Sequence, residues 1–538
     1  MSTQGRPAPI AASDARRPTY AVTTFGCQMN VHDSQRMEEV LGGAGLRRVD
    51  AESEADVIVL NTCSVREKAE QKLRSEVGRL AKQKRARPDL VVVVAGCVAQ
   101  QEGEKLLSRM PAVDLVIGPD NIPELPRLLE DVALGAPPAV RTVFDLDAPR
   151  FLTANGVLSG APTAFVTTMK GCDERCSFCI VPHTRGPERY RPSHEIASEI
   201  RALVTSGARE VTLLGQTVNS YRDPAAALPR APGAAPDDPD ESEFAALLRH
   251  IHAEVPALAR LRYTSPHPRH LTPSLIAAHR DLPILARHVH MPVQSGSDRV
   301  LRRMIRRYTR EEYVERTSRL RVAVPGLTLS TDIIVGFPGE TDDDFEATLS
   351  LVEEIGFCGL FGFKYSPRPY TPALRLGDDI PEAVKSQRLT RLFELSERLL
   401  RQHLEALPGT EQEVLIEGRD KSRGLFWSGR TARNEIVHVA GATDLDLAGQ
   451  IVRVVVSRSN KHSLEAQLTP EERARSRPLA PDSQSSTDSQ SSTDSQSSTD
   501  SQSSTPGPAL PAPSTLPLAE ALRARRALPV LPADPEGA

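Results

Sequence analysis

The stretch 20–135 repeats one pattern of apolar and polar positions three times. Each repeat is a short apolar run, a polar turn and a segment with helical spacing, and the runs lie at 20–25, 56–60 and 90–95. Short strands that alternate with helices predict a parallel sheet, in which all strands end at one edge. Each run leads directly into a cysteine, so the pattern brings Cys27, Cys63 and Cys97 to that edge. Ligands of open α/β sheets bind there.

The alternation of strands and helices resumes at a larger scale from residue 165. Six apolar runs are predicted strands, at 165–169, 210–214, 261–264, 287–291, 327–335 and 360–365. Six βα units are too few for a closed eight-stranded barrel, so we predict an open (β/α)6 partial barrel. A stretch with five prolines at 222–242 interrupts one connection, and we expect it to be a disordered insertion.

The pattern changes again after a helical region at 381–404. Five short strands separated by glycines are predicted at 413–417, 425–429, 436–439, 450–457 and 463–467, which is typical of a small β-barrel. The tail beyond them contains four copies of Asp-Ser-Gln-Ser-Ser-Thr at 482–505. Such a composition buries too little apolar surface to offset chain entropy, so we expect a disordered tail.

These changes of pattern divide the chain into domains. We predict an α/β fold with disorder at 1–18, an N-terminal parallel-sheet domain at 19–136, a linker at 137–157 and a central partial-barrel domain at 158–405. A small all-β barrel follows at 406–468, and the disordered low-complexity tail occupies 469–538.

The composition is that of a globular protein, with 39% hydrophobic residues, 25% charged residues and a net charge of −4. This charge does not support non-specific binding to polyanions, so any nucleic-acid site must be local. No apolar run approaches the roughly 20 residues that cross a bilayer, and the polar N-terminus lacks the features of a secretory signal. We therefore expect a cytoplasmic protein that has no membrane partner and whose seven cysteines are thiols or ligands.

The strongest chemical motif is the C-x3-C-x2-C set of Cys172, Cys176 and Cys179, directly after the first strand of the partial barrel. Three thiolates can hold three irons of a 4Fe-4S cluster and leave the fourth iron open to a substrate. A zinc site is the alternative, but zinc normally takes four ligands, and His183 is the nearest spare one.

The three early cysteines form a second candidate set. Each one alone could be an inert buried thiol. Three cysteines at equivalent strand ends also suit an iron–sulfur cluster with one accessible iron. Cys358 has no such partners, and we assign it to the core.

The C-x3-C-x2-C motif with Phe178 before its last cysteine resembles the radical S-adenosylmethionine (SAM) superfamily. The resemblance implies that the open iron binds SAM and that electron transfer cleaves it to a 5′-deoxyadenosyl radical. For any single residue, ordinary turn chemistry is the alternative to a role in SAM binding. The candidate cofactor-binding residues at the strand ends are Phe178, Gly215, Gln216, Asn219, Gln294, Ser295 and Gly336.

Seven segments together resemble the methylthiotransferase family, at 24–30, 60–68, 96–100, 179–186, 214–221, 291–297 and 334–340. That family has an N-terminal methylthiotransferase domain, a radical SAM domain and a C-terminal TRAM barrel, in the order predicted above. Within it, Gly-Cys-Gln-Met-Asn at 26–30 and Val-Pro-His-Thr-Arg-Gly at 181–186 resemble the tRNA-2-methylthio-N6-dimethylallyladenosine synthases.

The resemblance implies a transferase that adds a methylthio group to carbon 2 of N6-isopentenyladenosine, next to the tRNA anticodon. It implies that Cys27, Cys63 and Cys97 hold an auxiliary 4Fe-4S cluster and that Cys172, Cys176 and Cys179 hold the SAM-cleaving one. Two SAM molecules would be used per turnover, with no amino-acid acid/base pair. The expected partners are tRNA, a one-electron reductant and iron–sulfur supply proteins, and we expect a monomer.

Two other functions stay open. Relatives in the family modify threonylcarbamoyladenosine in tRNA or an aspartate of a ribosomal protein, although Gln28, Met29 and Asn30 favour N6-isopentenyladenosine as the substrate. A function of another class is a non-catalytic RNA-binding protein with structural metal, which would contain zinc and would not cleave SAM.

A local RNA site is predicted from six arginines with the spacing i, i+3, i+4, i+7, i+8 and i+11, which is one helical stripe. Such a face could follow phosphates. The alternative is a solvated helix face paired with nearby acids. The six residues are Arg299, Arg302, Arg303, Arg306, Arg307 and Arg310.

Overall fold

The computed structural model describes residues 17–64, 67–147, 149–153, 160–226, 228, 240–420, 424–478 and 518–527. The four six-residue repeats, most of the predicted insertion at 222–242 and residues 1–16 of the predicted disordered N-terminus lie outside these residues. Within them, no helix combines the length and the apolar character needed to cross a membrane.

The N-terminal domain is built on a six-stranded sheet whose strands are all parallel, and the parallel arrangement is as predicted. Its strands are β1 (Thr19–Phe25), β2 (Arg47–Arg48), β3 (Val57–Thr62), β4 (Val91–Gly96), β5 (Leu115–Ile117) and β6 (Ala139–Arg141). Its helices are α1 (Gln28–Gly43), α2 (Glu67–Ala86), α3 (Cys97–Glu102), α4 (Glu104–Arg109) and α5 (Leu125–Ala133). The strand order is β2-β1-β3-β4-β5-β6. The central strands β3 and β4 are buried at every position, which explains their continuous apolar runs.

The sequence pattern missed three strands of this sheet. β2, β5 and β6 have two or three residues each, which is too short for a recognisable period. β6 lies within the stretch that was predicted to be a linker, and it pairs with β5 in parallel.

The central domain contains all six predicted strands of an open partial barrel. Its strands are β7 (Thr163–Thr167), β8 (Met169–Lys170), β9 (Arg189–Tyr190), β10 (Glu210–Leu214), β11 (Arg260–Tyr263), β12 (His288–His290), β13 (Thr328–Val335) and β14 (Gly359–Lys364). β7, β10 and β11 pair in parallel, as do β12, β13 and β14. A parallel bridge between Leu261 and Leu285 joins the two groups, while β8 and β9 form a small antiparallel pair.

Helices cover the outer face of these strands and build the largest apolar core with them. They are α7 (Ser193–Thr205), α8 (Glu243–Glu254), α9 (Pro273–Asp281), α10 (Asp298–Arg303), α11 (Arg310–Ala323), α12 (Asp342–Ile355) and α13 (Glu382–Glu405), while α6 (Val181–Arg185) lies outside this core.

The C-terminal domain is a closed five-stranded barrel, as predicted. Its strands are β15 (Glu411–Arg419), β16 (Trp427–Thr431), β17 (Ile436–Ala440), β18 (Ile451–Ser459) and β19 (Leu464–Leu468), in the order β15-β16-β17-β19-β18. The turn after β16 contacts the central domain: Arg262 Nη2 donates to the Thr431 carbonyl at 2.7 Å, and Thr328 Oγ1 to the Arg433 carbonyl at 3.1 Å. The barrel therefore lies against the beginnings of β11 and β13, away from the strand ends that carry the cysteine motif.

The prediction of a wholly disordered tail is wrong at two helices, α14 (Pro470–Arg475) and α15 (Leu518–Ala527). Leu518, Ala521 and Leu522 of α15 are buried against the N-terminal domain, and Arg525 Nη1 donates to the Val132 carbonyl of α5 at 2.9 Å. A ten-residue helix is marginal on its own. The contact with α5 stabilises it, and a composition argument does not see that contact.

Candidate metal and cofactor site

The three early cysteines converge at the edge of the N-terminal sheet. Cys27 precedes α1, Cys63 follows β3 and Cys97 begins α3. A hydrogen bond with the Cys63 thiol lowers the pKa of Cys27 to about 6. A Cβ on Gly26 would lie 2.8 Å from the Cys63 Cβ, so glycine is needed there for β1 to approach the second cysteine.

Two buried asparagines hold this edge in place. Asn30 Nδ2 donates to Asn61 Oδ1 at 3.1 Å, and Asn61 Nδ2 donates to the Asn30 carbonyl at 2.8 Å and to Ser34 Oγ at 2.9 Å. The backbone N–H of Cys27 lies 3.4 Å from Asn30 Oδ1. Both asparagines lie in segments that resemble the methylthiotransferase family, at 24–30 and 60–68, but nothing in the sequence signals that they position the cysteines.

Arg185 joins this edge to the central domain. Its guanidinium is buried, and Nη2 donates to Asp33 Oδ2 of α1 at 2.5 Å. Burial raises the pKa of the Cys97 thiol, and the nearby Arg185 charge opposes that shift. One cation from the central domain therefore lies beside the cysteines of the N-terminal domain. Arg185 ends the Val-Pro-His-Thr-Arg segment that follows Cys179. The short helix α6 therefore connects the second cysteine set to the cation beside the first set.

The second set occupies the loop between β8 and α6. Cys172 and Cys176 are 8% and 7% exposed, and none of the seven cysteines, all of which lie within the described residues, is in a disulfide. Burial, and then the charges of Cys176 and Cys172, raise the pKa of Cys179, so the three sulfurs share one small volume. A Cβ on Gly171 would lie 1.9 Å from the Pro187 carbonyl oxygen, so glycine is needed for this loop to close.

Donors from distant parts of the chain contact this second set. Arg306 Nη1 donates to Cys176 Sγ at 3.3 Å, and Thr217 Oγ1 lies 3.0 Å from Cys172 Sγ. The Arg306 guanidinium is buried and also donates to the Pro292 carbonyl at 2.8 Å. Sequence reasoning missed Thr217 and gave Arg306 a different role.

The donor chemistry fits iron–sulfur clusters better than single zinc ions. Among the described residues, one group of three ligand atoms lies within 4.8 Å of one another, from Glu174, His267 and His270, and it contains no cysteine. In neither cysteine set, therefore, do all three sulfurs lie within 4.8 Å of one another, whereas the sulfurs around one tetrahedral zinc ion would lie roughly 3.8 Å apart at a Zn–S distance of about 2.3 Å. The ring of His183, the spare ligand, packs against the Tyr370 ring in a tilted arrangement, with centroids 5.6 Å apart.

Gln216 is the SAM candidate whose side chain is most available. Its Oε1 and Nε2 are both buried without a hydrogen-bond partner in the described structure. A buried amide without partners is costly, and a bound polar ligand would satisfy it. Its neighbour Gly215 packs closely on Met169, where an added Cβ would lie 2.7 Å from Cγ.

Internal contacts already engage the other candidates. Asn219 is hydrogen-bonded twice to the His267 backbone, and Ser295 Oγ contacts Thr348. The Gly336 N–H donates to Glu340 at 2.6 Å. Gln294 adopts a φ of 76° and its N–H donates to the Asp332 carbonyl, while Phe178 packs beside an apolar cluster that includes Phe337.

The six arginines do not form one helical face. α10 ends at Arg303, and Ile305 and Arg307 have φ values of 56° and 55°, so the chain turns before α11 begins at Arg310. The partners of four of them are internal: Arg299 pairs with Asp344, Arg303 with the Pro338 carbonyl, Arg306 with Cys176 and Arg310 with Glu354. Arg302 and Arg307 are exposed.

Cys358 lies apart from both cysteine sets. Its Sγ is 3.3 Å from the Leu329 carbonyl, near the start of β13, and burial raises the pKa of its thiol to about 11.

Three family models match consecutive parts of the chain. They are the uncharacterized protein family UPF0004 over residues 19–118, the Radical SAM superfamily over 166–352 and the TRAM domain over 405–469.

Curated relatives match most of the chain. A tRNA-2-methylthio-N(6)-dimethylallyladenosine synthase of Sorangium cellulosum is 72% identical over 474 residues, which are 86% of this chain and 95% of that protein. Proteins with the same name from Acidithiobacillus ferrooxidans and Anaeromyxobacter dehalogenans are each 46% identical over 86% of this chain, and they are covered to 98% and 97% of their lengths.

Proposed function

The chain belongs to the family of tRNA-2-methylthio-N6-dimethylallyladenosine synthases, and we propose that it adds a methylthio group to carbon 2 of N6-isopentenyladenosine in tRNA. The family predicted from the seven segments is thereby confirmed, and the chain is a radical SAM transferase. The names of the relatives do not favour threonylcarbamoyladenosine, a ribosomal protein or a non-catalytic role.

The observation that carries the proposal is the presence of two three-cysteine sets on either side of Arg185. Cys27, Cys63 and Cys97 would hold an auxiliary 4Fe-4S cluster, and Cys172, Cys176 and Cys179 the SAM-cleaving one. When bound, the clusters and two SAM molecules supply the sulfur, the methyl group and the radical chemistry that the unactivated carbon 2 requires.

The chain's own residues bind the cofactors, orient them and exclude water from them. The buried Arg306 guanidinium neutralises thiolate charge at Cys176 and ties that loop to Pro292. Arg185 likewise places a positive charge beside the Cys97 thiol and is tied to Asp33 by a hydrogen bond. The unpartnered Gln216 amide is our candidate for a polar contact with SAM.

We propose that exposed arginines contact the tRNA outside the reacting base. Arg302 and Arg307 extend into solvent near the cluster loop, where they can meet phosphates. A one-electron reductant and iron–sulfur supply proteins complete the partners, and we propose that the chain acts as a monomer.

The direct test is to incubate the reconstituted protein with SAM, a reductant, sulfide and tRNA that carries N6-isopentenyladenosine. Nucleoside mass spectrometry should detect the 2-methylthio derivative, and the triple Cys27/Cys63/Cys97→Ala variant should not form it. If wild type cleaves SAM but leaves the tRNA unchanged, the proposed substrate is wrong.

A further inference from the structure

The inner face of the partial barrel carries a polar pair beside an exposed aromatic ring. Along β12 and β13, Val289, Leu329 and Ile333 are buried in the core under the helices, so the residues that alternate with them face inward. These include His290 and Asp332, whose Nε2 and Oδ1 atoms lie 3.4 Å apart. Asp332 is paired in register with Phe361 of β14, so the three side chains share one face.

These side chains do not contribute to a core. The side chains of His290 and Asp332 are 21% and 27% exposed, and Phe361 is 54% exposed on β14, the edge strand of its sheet. The Phe361 ring packs edge-on against the His290 ring, with centroids 5.8 Å apart. An open apolar surface that adjoins a donor and an acceptor is typical of a ligand site.

The pair lies close below the SAM-cleaving cysteines. Arg306 spans from Cys176 Sγ, at 3.3 Å, to the Pro292 carbonyl, at 2.8 Å. Pro292 follows His290 by two residues, a rise of about 7 Å along an extended chain.

The three side chains complement the edge of a purine that is substituted at N6. That edge presents an N6–H donor beside the N7 acceptor, and the pair offers a carboxylate acceptor beside an imidazole donor. Carbon 2 lies across the six-membered ring from C5, which is bonded to N7. A base that is held by its N6/N7 edge would therefore direct carbon 2 toward the strand ends, where the cysteines are.

We propose that His290, Asp332 and Phe361 form the pocket that recognises the target base. Asp332 accepts the N6–H, His290 Nε2–H donates to N7, and Phe361 packs against the branched five-carbon chain on N6. The base enters after it is flipped out of the anticodon loop. This assignment rests on the proposed function, because it takes N6-isopentenyladenosine as the substrate.

The test combines kinetics with binding on the reconstituted holoenzyme. Asp332→Ala removes the acceptor and should lower kcat/KM for isopentenylated tRNA by about 10- to 100-fold, the usual range for one lost base contact. SAM cleavage to 5′-deoxyadenosine without tRNA should stay at the wild-type rate. If that rate falls in parallel, Asp332 supports the cofactor site or the fold, and the assignment to base recognition is overturned.

Phe361→Ala gives a readout that a purely structural role would not change. Wild type should bind isopentenylated tRNA more tightly than the same tRNA without the isopentenyl group, and Phe361→Ala should reduce that ratio of Kd values by about tenfold, while Phe361→Leu should retain most of it. Phe393→Ala is the matched control, because Phe393 is 40% exposed on α13, outside the barrel. An unchanged ratio in Phe361→Ala would overturn the proposal.

The wild-type arm separates the two proposals. If wild type forms no 2-methylthio product, the proposed function has failed. If wild type forms the product while Asp332→Ala and Phe361→Ala behave as wild type does, the function stands and the pocket assignment has failed.

Discussion

Replacement of Asp33 by asparagine tests the link between the N-terminal and central domains. The Asp33 carboxylate and the Arg185 guanidinium are 2.5 Å apart, with side chains only 9% and 7% exposed. Asp33→Asn leaves a buried guanidinium without its counter-charge. Loss of one partner of a buried pair costs about 3–5 kcal/mol. At about 2–4 °C per kcal/mol for a unit of 150–250 residues, the Tm should fall by about 6–20 °C.

Thermal unfolding followed by circular dichroism and calorimetry measures this effect. Asp281→Asn is the matched control, because Asp281 pairs with Arg280 on the surface, where both side chains are more than half exposed. That variant should unfold nearly as wild type does, since exposed ion pairs contribute little. The double variant Asp33→Asn/Arg185→Met should be more stable than Asp33→Asn, because it removes the unpaired charge.

An Asp33→Asn variant that unfolds at the same temperature as Asp281→Asn would refute this reasoning. It would mean that Arg185 is solvated or paired elsewhere, and that the N-terminal cysteines are not held by this contact.

Three further predictions concern other parts of the chain. Burial raises the pKa of Glu435, but the hydrogen bond from His403 and the Arg433 charge hold it at about 2, below its ordinary 4.5. The ionised carboxylate therefore stabilises the fold above about pH 4.5, and this contribution is lost as the pH falls toward 2. Glu435→Gln should therefore lower the Tm at neutral pH, with a difference from wild type that shrinks in acid, and a constant difference would contradict it. Leu522→Ala removes a leucine that is 4% exposed on α15, which should destabilise the docked helix by about 2–5 kcal/mol. Hydrogen exchange across 518–527 should therefore accelerate. Unchanged exchange would show that the helix is not docked there. Arg306→Gln removes a cation 3.3 Å from Cys176 Sγ, so a redox titration should find a more negative cluster potential, and an unshifted potential would exclude that contact.

The strands of the site could be predicted because their signals are local. The apolar runs before Cys27, Cys63 and Cys97 are short and continuous, and each one is a strand that ends at the sheet edge. Parallel geometry then brings the three cysteines together, whatever their separation in sequence. The five strands of the barrel were equally readable from their alternation and from the glycines between them.

The arginine segment shows where local reasoning fails. The spacing of Arg299, Arg302 and Arg306 is helical, but the positive φ values at Ile305 and Arg307 turn the chain. Arg306 is buried because it contacts Cys176, which lies 130 residues earlier in the sequence. The periodicity within the segment could not predict that contact.

The contact between the N-terminal and central domains and the docking of α15 could not be predicted from the sequence for the same reason. Asp33 meets Arg185 across 152 residues, and Arg525 meets Val132 across 393 residues. Each is a single long-range contact between unremarkable residue types. Such contacts become visible only when the elements are placed in space.

The iron and sulfide content of the anaerobically reconstituted protein tests the central claim most directly. Wild type should hold about eight irons, and the triple Cys172/Cys176/Cys179→Ala variant and the triple Cys27/Cys63/Cys97→Ala variant should each hold about four. If wild type holds about four irons and the Cys172/Cys176/Cys179 variant holds none, there is no second cluster. The N-terminal cysteines would then carry no sulfur-transfer site.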